Sequence, residues 1–480
     1  MPNAQQTKQR SYQDLELTLV RAQEPHTYLV IADSNAGRAS AHMRLDPTDE
    51  TWRPLLEAVQ REQTNEQCLT QLGARLFATL LPGDVEDAYR AARGHAEGAG
   101  QGLRVRLRLT EAPELAGLPW ELVYDAQRQL FLGISDDTPL SRFIEPQQTF
   151  PPPPPPAGRL RLLTVLSDPQ DLAQTYGLPR LRIEAELATL DTALQRLKSQ
   201  NLLEEIPPLR HAVRADIAEA LREYRPHALH FVSHGVFREG QGRLLLEDED
   251  HFALEMSDAV FRELLAGQRD TRLVVLNTCQ GAARDAGNAL VGMGPQLVSR
   301  GAPAVVAMQF PIYERPAVSF TREFYRALAH WFPIDVAVSQ ARKAIFIDYG
   351  PGRPDWAAPV LFMRDRDGML FEPPTQSPVS RPGIPDQAID PAVLEQVCAS
   401  YVEAPHKFYL PSRTRLLQIL KTHFQLEELR ELCVELGVDY ENFAPTKDAL
   451  ARELVLYAER RSMARALIEA AYRRRPKAEW

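Results

Sequence analysis

Two short stretches of this chain carry residues able to do nucleophilic chemistry together. Leu273-Val-Val-Leu-Asn-Thr-Cys-Gln-Gly opens on four apolar residues, two of them β-branched. A strand exposed on one face would alternate with polar residues, so the run predicts a strand covered on both faces. Asn277 and Thr278 break the run at the strand's carboxyl end, where Cys279 stands. A second run, Ala228-Leu-His-Phe-Val, closes on Ser233-His234-Gly235. In open α/β sheets the carboxyl edge, where strand order reverses, is where ligands and catalytic groups sit. A thiol with a pKa of about 8.5 is a poor nucleophile at neutral pH until an imidazole takes or stabilises its proton. His234 and Cys279 side by side would supply that pair. The N–H groups of Gly235 and Cys279 could face the oxyanion formed when a thiolate attacks a carbonyl. Inert readings stand beside this one, because a cysteine ending an apolar run often only packs and a histidine at a strand end often only bonds its turn.

The elements that must position these residues belong to a chain of 480 residues, 44% hydrophobic and 25% charged, long enough for two or three domains. A formal net charge of -9 gives no global field for nucleic acid or an anionic membrane, so neither is an expected partner. The four cysteines, Cys68, Cys279, Cys398 and Cys433, are dispersed and lack the paired spacing of a zinc site. Their usage fits a reducing cytosol. The first residues have no signal-peptide core, and no run approaches the roughly 20 apolar residues of a membrane span. A soluble, cytoplasmic protein is expected.

Residues 1–150 read as a non-catalytic α/β half of short strands and one or two helices. Leu103-Arg-Val-Arg-Leu-Arg-Leu alternates strictly, which predicts a half-buried strand with its arginines on a wet face. Leu118-Pro-Trp-Glu-Leu-Val-Tyr is a compact apolar segment expected to pack its tryptophan between sub-domains. Pro151 to Pro156 is a run of six prolines, so 151–158 reads as a polyproline spacer. From Leu160 strand and helix units repeat, predicting an α/β domain over 159–371 with a parallel sheet of about six strands flanked by helices. Residues 372–391, rich in proline and polar residues, read as a flexible linker. Beyond it, 392–480 is wholly helical in pattern. Leu416, Leu417, Leu420 and Phe424, then Leu429, Leu432, Cys433 and Leu436, then Leu450, Leu454 and Tyr457 form three apolar stripes. Gly437 is placed to end a helix and Thr446 to begin one. A small all-α bundle of this kind suits binding.

The stretches around His234 and Cys279, together with Gly301-Ala-Pro-Ala-Val-Val-Ala-Met-Gln-Phe-Pro-Ile, resemble the signature stretches of the CHAT domain, the caspase HetF-associated peptidases related to caspases and separase. Leu118–Tyr124 and Thr138-Pro-Leu-Ser-Arg resemble the family's N-terminal part. The resemblance implies a caspase-like fold and a cysteine endopeptidase, with His234 as general base, Cys279 as nucleophile, and Gly235 and Cys279 supplying the oxyanion hole. Ser233 stands where many members have glycine. For the residue before the scissile bond, P1, the resemblance points to three positions. Asn277 replaces the aspartate that helps metacaspases bind a basic P1. Glu314 falls near the acidic stretch that holds P1 arginine in separase, and Asp168 near the P1 pocket of caspases. Acidic groups there would favour Lys or Arg; otherwise both carboxylates are solvated loop charges.

The segment from Leu426 to Asn442 resembles bacterial effector-associated or death-like adaptor domains, which implies pairing with a matching domain on a sensor or effector protein. Homo-oligomer formation is compatible with that reading. The expected function is a protease of bacterial conflict, antiphage defence or programmed cell death, acting on a protein or peptide substrate without a cofactor or metal. A peptidase-dead scaffold that binds peptides is the alternative. Nucleotide binding lacks a Gly-rich phosphate loop.

Overall fold

The computed structural model describes residues 10–145, 159–238, 241–277, 292–299, 301–310, 312–371, 413–436, 438, 446–460, 467, 470–471 and 474–475. The expected spacer at 151–158, the linker at 372–391, the stop at Gly437 and the nucleophile Cys279 lie outside the described residues. The chain divides into two units, 1–378 and 379–480.

In the first unit, alternation builds the outer strands. Strand β1 (Tyr12–Arg21) turns Leu15, Leu17 and Leu19 inward and pairs with β2 (Thr27–Ser34), which pairs with β3 (Gly37–Arg44). Helices α1 (Arg53–Gln60), α2 (Glu66–Leu80) and α3 (Asp84–Gly98) follow, and Asn65 caps α2 through a side-chain oxygen that accepts the Cys68 N–H at 2.8 Å. Strand β4 (Gly102–Glu111), a small hairpin of β5 (Tyr124–Asp125) and β6 (Leu130–Phe131), and β7 (Leu140–Phe143) complete this half.

The next strands are β8 (Leu160–Leu166) and β9 (Leu203–Glu205), joined by α4 (Ile183–Ser199), and α5 (Arg214–Tyr224) leads to β10 (Ala228–Val232). A separate antiparallel sheet of β11 (Gly235–Arg238), β12 (Gln241–Glu247) and β13 (Ala253–Ser257) projects from its end. Helix α6 (Asp258–Leu265), whose Ser257 cap accepts the Val260 N–H, precedes β14 (Leu273–Asn277). Then come α7 (residues 292–299), β15 (Ala304–Met308), α8 (Glu314–Ala329), α9 (Ile334–Tyr349) and β16 (Pro359–Met363).

Among the described residues the main sheet has eleven strands in the order β3-β2-β1-β4-β7-β16-β15-β14-β10-β8-β9. Pairings β1–β2, β2–β3 and β15–β16 are antiparallel, and the others are parallel. This is a mostly parallel α/β sheet flanked by helices, with strands from both sides of the expected spacer in one ladder: β7 lies between β4 and β16. Strands β10, β14, β15 and β16 are buried throughout because both faces are covered. Their side chains alternate between two cores. Ala228, Leu273, Val275 and Val306 pack with α4, α8 and α9, while Leu229, Phe231, Val274 and Leu276 pack with α5, α6 and α7.

The wet face expected for β4 is corrected. Arg104 and Arg106 are buried, 5% and 1% exposed. Arg104 pairs with the fully buried Asp335 near the start of α9 and donates to the Asp367 carbonyl at 2.9 Å. Arg106 pairs with Asp14 at 2.9 Å and donates to the Arg366 carbonyl. A segment more than 200 residues downstream covers that face, and its carboxylate and carbonyls replace water as partners. Leu118–Tyr124 is also buried in large part. Trp120 donates its indole N–H to the Leu115 carbonyl at 2.9 Å, and Glu121 pairs with Arg142 at 2.8 Å while accepting from Gln309 of the distal half at 2.9 Å.

The second unit holds α10 (Arg413–His423), α11 (Leu426–Glu435) and α12 (Lys447–Arg460). Leu416, Leu420, Phe424, Leu429, Leu432, Cys433, Leu450 and Leu454 share one core, as the stripes require. No helix among the described residues is long and apolar enough to cross a membrane.

Candidate active site

The parallel ladder sets the geometry. Val232 pairs with Asn277, so β10 and β14 end in register at the same sheet edge. His234 follows the first by two residues in sequence and Cys279 follows the second by two. The small sheet fixes the first of these ends: the His234 carbonyl accepts the Leu245 N–H at 2.8 Å, the Ser233 hydroxyl donates to the Leu245 carbonyl, and Gly235 pairs with Leu244.

The His234 side chain is fully buried. Its Nε2 lies 2.8 Å from the Pro179 carbonyl oxygen. A carbonyl only accepts, so Nε2 carries the proton and Nδ1 keeps a lone pair. Nδ1 is buried and has no hydrogen-bond partner among the described residues. Burial pushes the imidazole's pKa down, against smaller opposing effects of the Pro179 carbonyl and the Asp168 charge. The neutral ring is the form a general base needs.

Pro179 is delivered by the loop after β8, and Asp168 organises that loop. Its Oδ1 accepts the Leu181 N–H at 2.8 Å and its Oδ2 accepts from Arg180 Nε at 2.7 Å. Its own N–H donates to Glu247 Oε1 at 2.8 Å. Asp168 is buried, whereas its partner Arg180 is half exposed, so the outer oxygen is covered by a side chain that solvent reaches.

Asn277, at the end of β14, is buried, and its Oδ1 has no partner among the described residues. It lines a recess with Thr164, His230, Val232, Ala317 and Thr321. Glu314 is the first residue of α8. The structure thus brings His234 and Asp168 to one loop system and puts Asn277 at the neighbouring strand end. Sequence reasoning missed Pro179 and Glu247. A backbone carbonyl 55 residues from its histidine has no side-chain signal, and Glu247 reads as one more acid in an acidic turn.

The CHAT domain model matches residues 66–364, and the model of effector-associated domain 7 matches residues 416–476. No curated protein matches the chain. Among solved structures, two of the Saccharomyces cerevisiae separase–securin complex are similar at 9% identity, with TM-scores of 0.40 and 0.36. Each match covers 73% of this chain and 30% of the separase chain, so this chain spans under a third of that length. The complex of pro- and mature domains of Porphyromonas gingivalis RgpB is similar at 12% identity with a TM-score of 0.35, covering 62% of this chain and 72% of that one.

Proposed function

From the premise that this chain belongs to the CHAT domain family, a caspase-like peptidase fold family, and ends in an effector-associated domain, we propose that it is a cysteine endopeptidase using His234 and Cys279. The observation that carries the reading is the His234 ring: buried, neutral by its environment, its Nε2 held by Pro179 and its Nδ1 lone pair without a partner among the described residues. Nδ1 takes the proton of the Cys279 thiol, and the thiolate sulfur attacks the carbonyl carbon of the scissile peptide. The N–H groups of Gly235 and Cys279 hold the oxyanion. Collapse of the tetrahedral intermediate breaks the C–N bond, the imidazolium returns its proton to the leaving amine, and an acyl-enzyme remains. Water deprotonated by Nδ1 then attacks the thioester, freeing the acid and restoring the thiol.

Asp168, Asn277 and Glu314 are the proposed substrate-binding residues. A basic P1 side chain would displace the half-exposed Arg180 from Asp168 Oδ2, exchanging one cation for another, while the Asn277 amide oxygen accepts a substrate N–H. Asp168 stays held to Leu181 throughout, so the exchange leaves the loop in place.

The C-terminal domain is the proposed recruiter, pairing with a matching domain on a sensor or effector protein or on a second copy of the chain. Gathering copies raises local concentration and favours activation by proximity. A conflict, antiphage or cell-death role in the cytoplasm fits a protease held silent until recruited. The test is cleavage of a fluorogenic peptide library varied at P1, comparing wild type with Cys279→Ala, alone and dimerised through the C-terminal domain. Wild-type activity absent from the variant is expected. Silence of the folded protein in every arm would favour a peptidase-dead scaffold.

A further inference from the structure

Behind the Asp168 loop, two segments bring a second chemical cluster together. His211 precedes α5, Glu247 ends β12, and His251 lies in the turn between β12 and β13. The Glu247 carboxylate is fully buried, while the two imidazoles are half exposed, 55% and 57%. Glu247 Oε2 lies 2.9 Å from His251 Nδ1 and 3.1 Å from His211 Nδ1. One ligand atom from each residue falls within 4.8 Å of the others. The rings meet edge to face with centroids 5.1 Å apart, each turning Nδ1 toward the same oxygen. Both histidines sit in the left-handed backbone region, φ 55° and 63°, which few non-glycine residues adopt.

Four ligands at about 2.0–2.1 Å around a tetrahedral zinc ion stand roughly 3.3 Å from one another. The spacing from carboxylate oxygen to each ring nitrogen is within a few tenths of an ångström of that. Moving each ring proton to Nε2, on rings that solvent reaches, turns both Nδ1 lone pairs onto the Glu247 oxygen. A cation there would meet a buried carboxylate whose other oxygen is held by the Asp168 N–H, the outer contact that orients a ligand.

We propose that His211, Glu247 and His251 form a site for a zinc-type first-row divalent cation, with three protein ligands and a fourth position open to water. No cysteine spacing marks it, which is why a sequence reading expects no metal. The site shares Glu247 with the loop that carries Pro179, so its occupancy would stiffen the support of His234; that consequence rests on the peptidase reading, whereas cation binding does not.

The test uses full-length Cys279→Ala protein, which removes the proposed nucleophile as a rival ligand, titrated with Co²⁺ as a spectroscopic probe. The expected result is one equivalent bound with the visible absorption of a four-coordinate ion, displaced by Zn²⁺, and a raised melting temperature. In the same background, His211→Ala and His251→Ala should each weaken binding about 100-fold or more. Both side chains are half exposed, so circular dichroism should report folded variants. Absence of Co²⁺ binding by the folded Cys279→Ala protein would overturn the proposal. So would a spectrum and affinity unchanged by both histidine substitutions.

Discussion

The Nε2 atom of His234 and the carbonyl oxygen of Pro179 lie 2.8 Å apart across 55 residues of sequence. This bond fixes which ring nitrogen carries the proton, and so which one can act as base. Nitrogen-15 NMR of the histidine rings should find His234 neutral at pH 7 and protonated at Nε2. Its replacement by alanine should lower kcat by roughly 100-fold or more. An Nδ1–H tautomer would contradict the assignment.

Substitutions at Asp168 should separate its bond to the Leu181 N–H from the substrate contact proposed for it. Asp168→Asn keeps the oxygen that accepts the Leu181 N–H but loses the charge facing Arg180. It should raise KM for basic P1 substrates and spare kcat. Asp168→Ala releases the loop that holds Pro179, and should lower kcat roughly 10- to 100-fold, because small misplacements of a catalytic group cost that much. Equal kcat in the two variants would remove the positioning role.

Glu121 should be the most sensitive charge of the N-terminal half. It is 1% exposed, bonded to Arg142 and Gln309, and 3.9 Å from the buried Arg342. Burial lowers the Arg342 pKa to about 10, opposed by the Glu121 charge. Glu121→Ala leaves buried guanidinium groups uncompensated, and urea denaturation should show a loss of about 3–5 kcal/mol.

Acid should destabilise the first unit through its buried histidines, against the opposing effect of Asp365, whose carboxyl pKa is raised by burial to about 6. Burial lowers both His227 and His230 from the ordinary 6.5 to about 4, and lowers His234 as well. Between those pH values the unfolded chain binds protons that the folded chain refuses, so stability rises with pH across the window and is lost as pH falls from 6.5 toward 4. The fully buried His230 contributes a slope of up to about 1.4 kcal/mol per pH unit. Melting temperatures measured from pH 7 to 4 should fall, and less steeply in His230→Asn.

What could be read from the chain alone was local. Leu273–Leu276 declares a buried strand because a strand covered on both faces needs an apolar run, Ala228–Val232 does so with His230 as its one polar residue, and the polar break after each marks an edge. His234 was visible because it stands at such a break. The helical stripes of the second unit were visible for the same kind of reason, a periodicity that one turn of helix imposes.

The arginines of β4 show where that legibility stops. Alternation says that two faces of a strand differ, but not that one of them is wet. Asp335 and the carbonyls of Arg366 and Asp367, which make Arg104 and Arg106 interior residues, arrive from the far end of the unit. Pro179 above His234, and Glu247 between Asp168, His211 and His251, belong to the same class. The sequence by itself determined the buried strands of the distal half, the helical stripes of the second unit, and which strand ends carry His234 and Cys279, because burial imposes a period on neighbouring residues. Tertiary structure alone decided which nitrogen of His234 is held by a carbonyl, which acid braces that loop and which histidines meet, because those bonds join loops whose sequence separation encodes no distance.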